Sequence, residues 1–220
     1  MSNRLGLRIS GACGLAYVLL TVFGNSGGGT PDLTWSRARI AHWLAEQHNS
    51  TSAYVGGVLE LLGLLAFVGF AAVLYRVLRR GDQSGVLATT ALGAALVSLA
   101  IKLGSVPLMF AVEWRSGQGF DPQIAALAID ADNVAFVLTW TVDAVMLAAA
   151  AVVILRARVL PRWLGVLAAI LAPALVLSAA AANHVPPFAM LLTLVWVLAT
   201  GGVLAFRRRE PAPAAAAATA

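Results

Sequence analysis

Charged residues are scarce in this chain of 220 residues: Asp, Glu, Lys and Arg together make up only 11%. A soluble domain carries about 25% charged residues, and so few charges could not cover a surface that faces water. Hydrophobic residues make up 60% of the chain, and the mean hydropathy is +0.84. The scarcity of charge therefore excludes an ordinary soluble domain and predicts a multi-pass protein of the cell membrane, surrounded by the lipid bilayer.

Cysteine and the usual signatures of catalysis are also lacking. The chain has one cysteine, Cys13, which excludes an intrachain disulfide. It contains no serine elbow, HExxH pair, Walker loop or CxxC pair, and the sequence indicates no metal and no cofactor. The net charge of +5 does not indicate nucleic-acid binding, because the basic residues do not form a patch on a soluble face. No pattern indicates an oligomeric state.

What the chain does contain is long apolar runs. A spanning helix needs about 20 apolar residues, and six segments reach or approach that length: residues 9–24, 53–78, 86–112, 134–155, 163–182 and 188–206. They predict an all-α fold, a membrane bundle of six transmembrane helices that forms a single domain over residues 1–209. The alanine-rich residues 210–220 predict a disordered cytoplasmic tail.

The first apolar segment is the shortest and has two interpretations. Arg4 and Arg8, the apolar run and the sequence "VFGNSGGG" also fit a signal peptide cleaved after Gly24. The many small residues of "ISGACGLAYVLLTVFG" instead favour a retained helix that packs tightly.

Basic residues predict the orientation. Eleven of the 15 Lys and Arg residues fall in four groups at alternate ends of the predicted helices, within residues 4–8, 76–80, 156–162 and 207–209. Because cytoplasmic loops are enriched in Lys and Arg, both termini are predicted to be cytoplasmic.

Two long connections are predicted on the opposite side. In the first, the spacing of Ile40, Trp43, Leu44 and Gln47 predicts an interfacial helix near residues 35–48, with an ordered loop as the alternative. In the second, residues 113–133, we expect an acidic rim or a solvated loop, because the spacing of its acids matches no cation-binding loop. Those acids are Glu113, Asp121, Asp130 and Asp132.

Three ionisable residues are predicted at membrane depth: Glu60, Lys102 and Asp143. At about 1.5 Å per residue, they lie roughly 10 to 15 Å from the outer ends of their helices. Each charge costs about 2.5–3.5 kcal/mol on insertion scales. We therefore expect all three to face the bundle interior, with Lys102 between the two carboxylates and one carboxylate protonated.

These residues predict an outward-facing polar pocket that binds or moves a small ligand, with Thr139, Trp140 and His184 as further candidate ligand-binding residues. Two alternatives remain. A membrane enzyme of the cyclase or isomerase type would use a protonated carboxylate as general acid on a lipid-soluble substrate, in an apolar pocket lined by Trp140, Phe136 or Phe110. A non-catalytic scaffold would show a closed, fully paired network without a cavity.

Four segments resemble a family of bacterial multi-pass membrane proteins known as domain-of-unknown-function family 4386. They are "LRISGACGLAYVLL", "GGVLELLGLLAFVGFAAVLYRVLRR", "RARVLPRWLGVLAAILAPALVL" and "PPFAMLLTLVWVLATGGVLAFRR". The resemblance implies a six- or seven-helix integral membrane protein of unassigned activity, and places Glu60 and the "LPRW" turn at residues 160–163 in the family pattern. The family's usual Arg-x-x-Glu pair in the third helix is missing, since "TTALGAALVSLAIKLG" carries only Lys102 as a charge.

Overall fold

The computed structural model describes residues 3–24, 31, 34–47, 51–118, 120–182 and 188–206. These residues form seven α-helices and one short 3₁₀ turn. In chain order the helices are α1 (Asn3–Gly24), α2 (Arg37–Gln47), α3 (Thr51–Leu78), α4 (Val86–Arg115), α5 (Pro122–Ala157), α6 (Arg162–Ala180) and α7 (Phe188–Phe206).

Five of these helices, α3 to α7, are long and apolar enough to cross a membrane, and the apolar part of α1, Gly11–Gly24, is shorter. A helix in lipid satisfies its backbone hydrogen bonds internally, which is why apolar runs of this length form helices. The prediction of an all-helical, multi-pass membrane protein is confirmed at this level, with five candidate spans.

Helix α5 is the most deeply buried of the candidate spans. In the most apolar stretch of α5, 61% of the residues are buried inside the protein, whereas the corresponding share is 33% in α3, α4 and α6. It packs along α4 and α6, while α1 packs along α3 and α7. Since α3 also packs on α4 and α6 on α7, these six helices follow one another in a ring, and the main core cluster joins residues of all six.

Glycines let α1 approach its two neighbours closely. A Cβ atom at Gly11 would lie 2.7 Å from the carbonyl oxygen of Gly201 on α7, and one at Gly56 on α3 would lie 2.6 Å from that of Gly24. In lipid there is no hydrophobic driving force between helices, so helices associate through close van der Waals packing, which small residues at a crossing permit. The tight packing predicted for a retained first helix is present in the structure.

The acidic connection predicted over residues 113–133 is mostly helical, so the solvated-loop alternative is wrong. Helix α4 continues to Arg115, and α5 already begins at Pro122. The carboxylate of Asp121 caps α5 by accepting a hydrogen bond from the Gln123 amide at 2.8 Å. Asp130 and Asp132 therefore lie inside α5, whose 36 residues extend for about 54 Å.

Helix α2 falls within the stretch predicted to lie in the membrane interface, but its apolar face packs on protein. Trp43, one of the residues that define this face, is only 8% exposed. The helix covers the C-terminal end of α4 and the N-terminal end of α5, in a small cluster of Ile40, Trp43, Leu44, Val112, Ala125 and Ile129. The guanidinium of Arg39 lies 3.8 Å from the centre of the Trp35 ring, which keeps a cation on that ring's face.

Candidate functional site

A cavity of about 50 Å³ lies between α1, α3, α4, α5 and α7. On α5 the wall is formed by Phe136, Thr139, Asp143 and Met146, which recur every three or four residues and so share one helical face. The other helices contribute Tyr17, Thr21, Glu60, Leu64, Phe67, Ser98, Leu99, Lys102, Met190 and Thr193. The three charged residues predicted to share a site thus line one cavity.

Lys102 is paired with two carboxylates, but one of them differs from the prediction. Its Nζ lies 3.4 Å from Oε1 of Glu60 and 3.1 Å from Oδ1 of Asp132. All three side chains are less than 20% exposed. We expected Asp143 as the second partner, and this was wrong, because the long side chain of Lys102 reaches toward the N-terminal part of α5 instead.

An aromatic ring flanks this ion pair. The Nζ of Lys102 lies 5.6 Å from the centre of the Phe136 ring, within the range of a cation–π contact. The Phe136 ring stands edge-on to Trp140, with 5.4 Å between centroids. Trp140, a predicted ligand-binding residue, is buried behind Phe136 and is not among the residues of the cavity wall.

Asp143 is a buried carboxyl group of the wall that the described residues leave incompletely paired. It is 7% exposed, and its Oδ1 has no hydrogen-bond partner among the described residues. The side chain of Ser98 lies beside the carboxyl group, and the Tyr17 phenol is near both Asp143 and Glu60. A buried polar atom without a partner is rare in folded proteins, so this oxygen calls for a functional explanation.

Two threonine hydroxyls of the wall already donate their protons to the backbone. Thr139 Oγ1 donates to the Phe136 carbonyl oxygen at 2.6 Å, and Thr193 Oγ1 donates to the Ala189 carbonyl oxygen at 2.9 Å. A hydroxyl has one proton and two lone pairs. Both threonines can therefore offer only acceptor lone pairs to a molecule in the cavity.

Some predicted and observed residues do not coincide. His184 lies outside the described residues, whereas Glu60, Lys102, Thr139 and Asp143 all line the cavity. Sequence reasoning missed Asp132 and four hydroxyl-bearing residues, Tyr17, Thr21, Ser98 and Thr193. One signal was available for Asp132: it precedes Asp143 by about three helical turns and so shares its face.

A metal centre is not supported by the described part of the chain. It contains no group of three or more His, Cys, Asp and Glu side chains placed to hold a metal ion. Lys102, the one cation among the described residues of the cavity wall, is held by Glu60 and Asp132. The arrangement is suited to binding a small polar molecule beside Asp143.

Comparison with known proteins gives a family but no activity. Residues 12–207 match the family described as "Domain of unknown function (DUF4386)". Because the match covers most of the chain, the protein belongs to this family of proteins without an assigned function. No curated protein and no solved structure gives a significant match.

Proposed function

We propose that this member of the DUF4386 family binds a small polar ligand in the cavity beside Asp143. The observation that carries the proposal is the Oδ1 atom of Asp143, which is buried on the cavity wall without a partner among the described residues. An unmade hydrogen bond at a buried acceptor costs about 1–3 kcal/mol. A bound ligand that donates to this oxygen would recover that energy.

The incomplete pairing argues against a purely structural role for the buried charges. A scaffold requires its polar groups to satisfy one another, because a partly satisfied network is less stable than an apolar core. Glu60, Lys102 and Asp132 meet this requirement, but Asp143 does not. The cavity beside Asp143 is a further departure from a closed network.

The size and lining of the cavity favour ligand binding over chemistry on a lipid-soluble substrate. About 50 Å³ is room for about three to five groups of the size of water, which fits a small polar molecule better than a cyclic lipid. Of the three aromatic residues expected beside an enzyme's acid, Phe136 lines the cavity, whereas Trp140 and Phe110 do not.

The proposed orientation has the cavity on the non-cytoplasmic side. Arg76 lies in the last turn of α3 and Arg156 in the last turn of α5, and positive charge favours the cytoplasmic side. Glu60 and Phe136 lie toward the opposite ends of these helices. The 22 residues of α1 extend for about 33 Å, long enough for a sixth span that places both termini inside.

Substituted-cysteine labelling tests the proposal. In a Cys13→Ala background, Met190→Cys places a thiol on the cavity wall and Leu192→Cys places one on the exposed face of the same helix. A small water-soluble thiol reagent is expected to label the first in membranes and to leave the second unlabelled, since hydrocarbon excludes the reactive thiolate. A membrane-impermeant reagent applied from outside tests the orientation. If Met190→Cys folds normally but resists every reagent, the cavity is closed and the proposal fails.

A further inference from the structure

We propose that the ligand is a small organic cation with a primary ammonium group, which donates to Asp143 and to the threonine hydroxyls of the cavity. This inference rests on the proposed function and specifies the chemical class of the ligand. It is carried by three independent features of the cavity: its hydrogen-bonding groups, its charge and its rings.

The hydrogen-bonding groups around Asp143 are mainly acceptors. Asp143 Oδ1 is an acceptor without a partner among the described residues, and the hydroxyl protons of Thr139 and Thr193 are already used by backbone carbonyls. The Ser98 hydroxyl lies beside the Asp143 carboxyl group. A complementary ligand must therefore donate several hydrogen bonds, and an ammonium has three donors and no acceptor.

The ionisable groups of the site leave an excess of acid. Three carboxyl groups, those of Glu60, Asp132 and Asp143, accompany one ammonium, that of Lys102. This ammonium lies between Glu60 and Asp132, so the described residues provide no separate cation for Asp143. A cationic ligand would balance this charge, whereas an anionic ligand would add to it in a low-dielectric environment where like charges repel strongly.

The rings of the cavity distinguish an organic cation from a metal ion. Tyr17 and Phe67 form a pair with centroids 4.8 Å apart, and both residues line the cavity with Phe136. Aromatic faces attract alkylammonium groups, and the Nζ of Lys102 already lies over Phe136. A metal ion prefers several oxygen ligands at fixed short distances, but the described residues bring no carboxylate next to Asp143 that is free of Lys102.

Protection against labelling provides the test, with ethylammonium as the probe. The Met190→Cys protein, in the Cys13→Ala background, is treated with the neutral reagent methyl methanethiosulfonate in detergent. Ethylammonium chloride is expected to slow labelling, whereas sodium chloride at the same ionic strength is not. In Asp143→Asn, the ethylammonium concentration that gives half-protection should rise by about tenfold or more. This is the effect expected from losing one hydrogen bond to a charged group.

Each outcome decides a different point. Absence of labelling would refute the accessible cavity and with it the proposed function. Labelling without protection by ethylammonium, or equal protection by sodium chloride, would overturn the organic-cation inference and leave the cavity in place. Protection that is unchanged in Asp143→Asn would remove Asp143 from the binding site.

A second measurement avoids the Asp143 substitution. The labelling rate of Met190→Cys is compared between 2-aminoethyl and 2-sulfonatoethyl methanethiosulfonate, and each rate is divided by that for a free thiol in solution. After this correction, the cationic reagent is expected to label the cysteine about tenfold faster than the anionic reagent, or more. At an effective dielectric constant of about 20, attraction to a nearby unit charge is strong enough to change the rate by at least this factor. An equal or inverse ratio would contradict the inference.

Discussion

Lys102 on α4 and Asp132 on α5 are 30 positions apart in the chain, yet their side chains form a hydrogen-bonded ion pair. Nζ lies 3.1 Å from Oδ1 and 3.4 Å from Oδ2 of the carboxylate. Glu60 adds a contact from α3, so one ammonium connects three helices. Asp143, further along the same face of α5, is left for other partners.

Removing the ammonium should destabilise the protein more than removing the whole cluster. In Lys102→Met the carboxylates of Glu60 and Asp132 would face each other without a cation, and we expect a loss of about 2–4 kcal/mol at pH 7. The triple variant with Glu60→Gln and Asp132→Asn should recover at least half of this loss. The midpoint of thermal unfolding in detergent measures both. A triple variant no more stable than Lys102→Met would contradict the role of Lys102 as a counter-charge.

Asp132 and Asp130 are a matched pair for a second prediction. They lie two positions apart on α5 and therefore point in different directions. Asp132 forms an ion pair with Lys102. Asp132→Asn should cost about 1–2 kcal/mol, because Lys102 retains Glu60 as one partner. Asp130→Asn should change the stability by less than about 0.5 kcal/mol. Equal unfolding midpoints for the two variants would contradict the assignment.

Composition and periodicity were sufficient to predict an all-helical membrane protein and to identify Glu60, Lys102 and Asp143 as residues of one region. The counter-charge was misassigned because residues 113–133 were interpreted as a loop. Once α5 begins at Pro122, Asp132 falls on the face of Thr139 and Asp143, where Lys102 can reach it. Asp121 followed by Pro122 is a local signal for a helix start, an N-cap residue with proline at the first helical position, so the beginning of α5 could have been predicted from the sequence. The choice of Asp132 as the partner of Lys102 depends on how α4 packs against α5.

The apolar face of α2 shows a second limit of sequence reasoning. The same periodicity of Ile40, Trp43 and Leu44 describes a helix on a lipid surface and a helix on a protein surface. The partners that distinguish these possibilities, Ala125 and Ile129, lie more than 80 positions away. The sequence likewise does not identify Ser98 and Thr193 as residues of the cavity wall, since serine and threonine occur throughout membrane helices as packing residues.

The contact between α1 and α7 gives a third prediction. A Cβ atom at Gly11 would collide with Ala205 and lie 2.7 Å from the Gly201 carbonyl oxygen, whereas one at Gly202 would meet nothing within 4 Å. Gly11→Ala should therefore cost about 1–3 kcal/mol through overpacking. For a protein of this length, each kcal/mol of lost stability lowers the thermal unfolding midpoint by about 2–4 °C.

Gly202→Ala is the control for this prediction, because it makes the same chemical change on α7 away from the contact. Alanine favours a helix over glycine by up to about 1 kcal/mol, so this variant should unfold at the same temperature or slightly higher. Equal destabilisation by both substitutions would mean that the close approach of α1 to α7 does not limit stability.

The turn between α3 and α4 predicts a pH dependence of stability. Asp82 lies outside the candidate spans. Its Oδ2 accepts from the Ala88 amide at 2.9 Å, and its Oδ1 accepts from the Ser84 hydroxyl at 2.8 Å. These two hydrogen bonds, that of the Ala88 amide first, lower the pKa of Asp82 below its ordinary value of 3.8. The ionised carboxylate also lies at the N-terminus of α4, where the helix dipole favours negative charge.

Because the folded pKa is lower than the unfolded one, this stabilisation is complete well above the unfolded value and is lost as the pH falls through the folded value. Asp82→Asn should therefore be less stable than the parent protein at pH 7, and the difference should shrink as the pH falls below about 4. Unfolding midpoints of the two proteins from pH 7 to pH 3 measure this difference. Ser84→Ala, which leaves the Ala88 hydrogen bond in place, should lose only part of the stability at pH 7. A difference between parent and Asp82→Asn that stays constant down to pH 3 would show that the charge on Asp82 does not hold the start of α4.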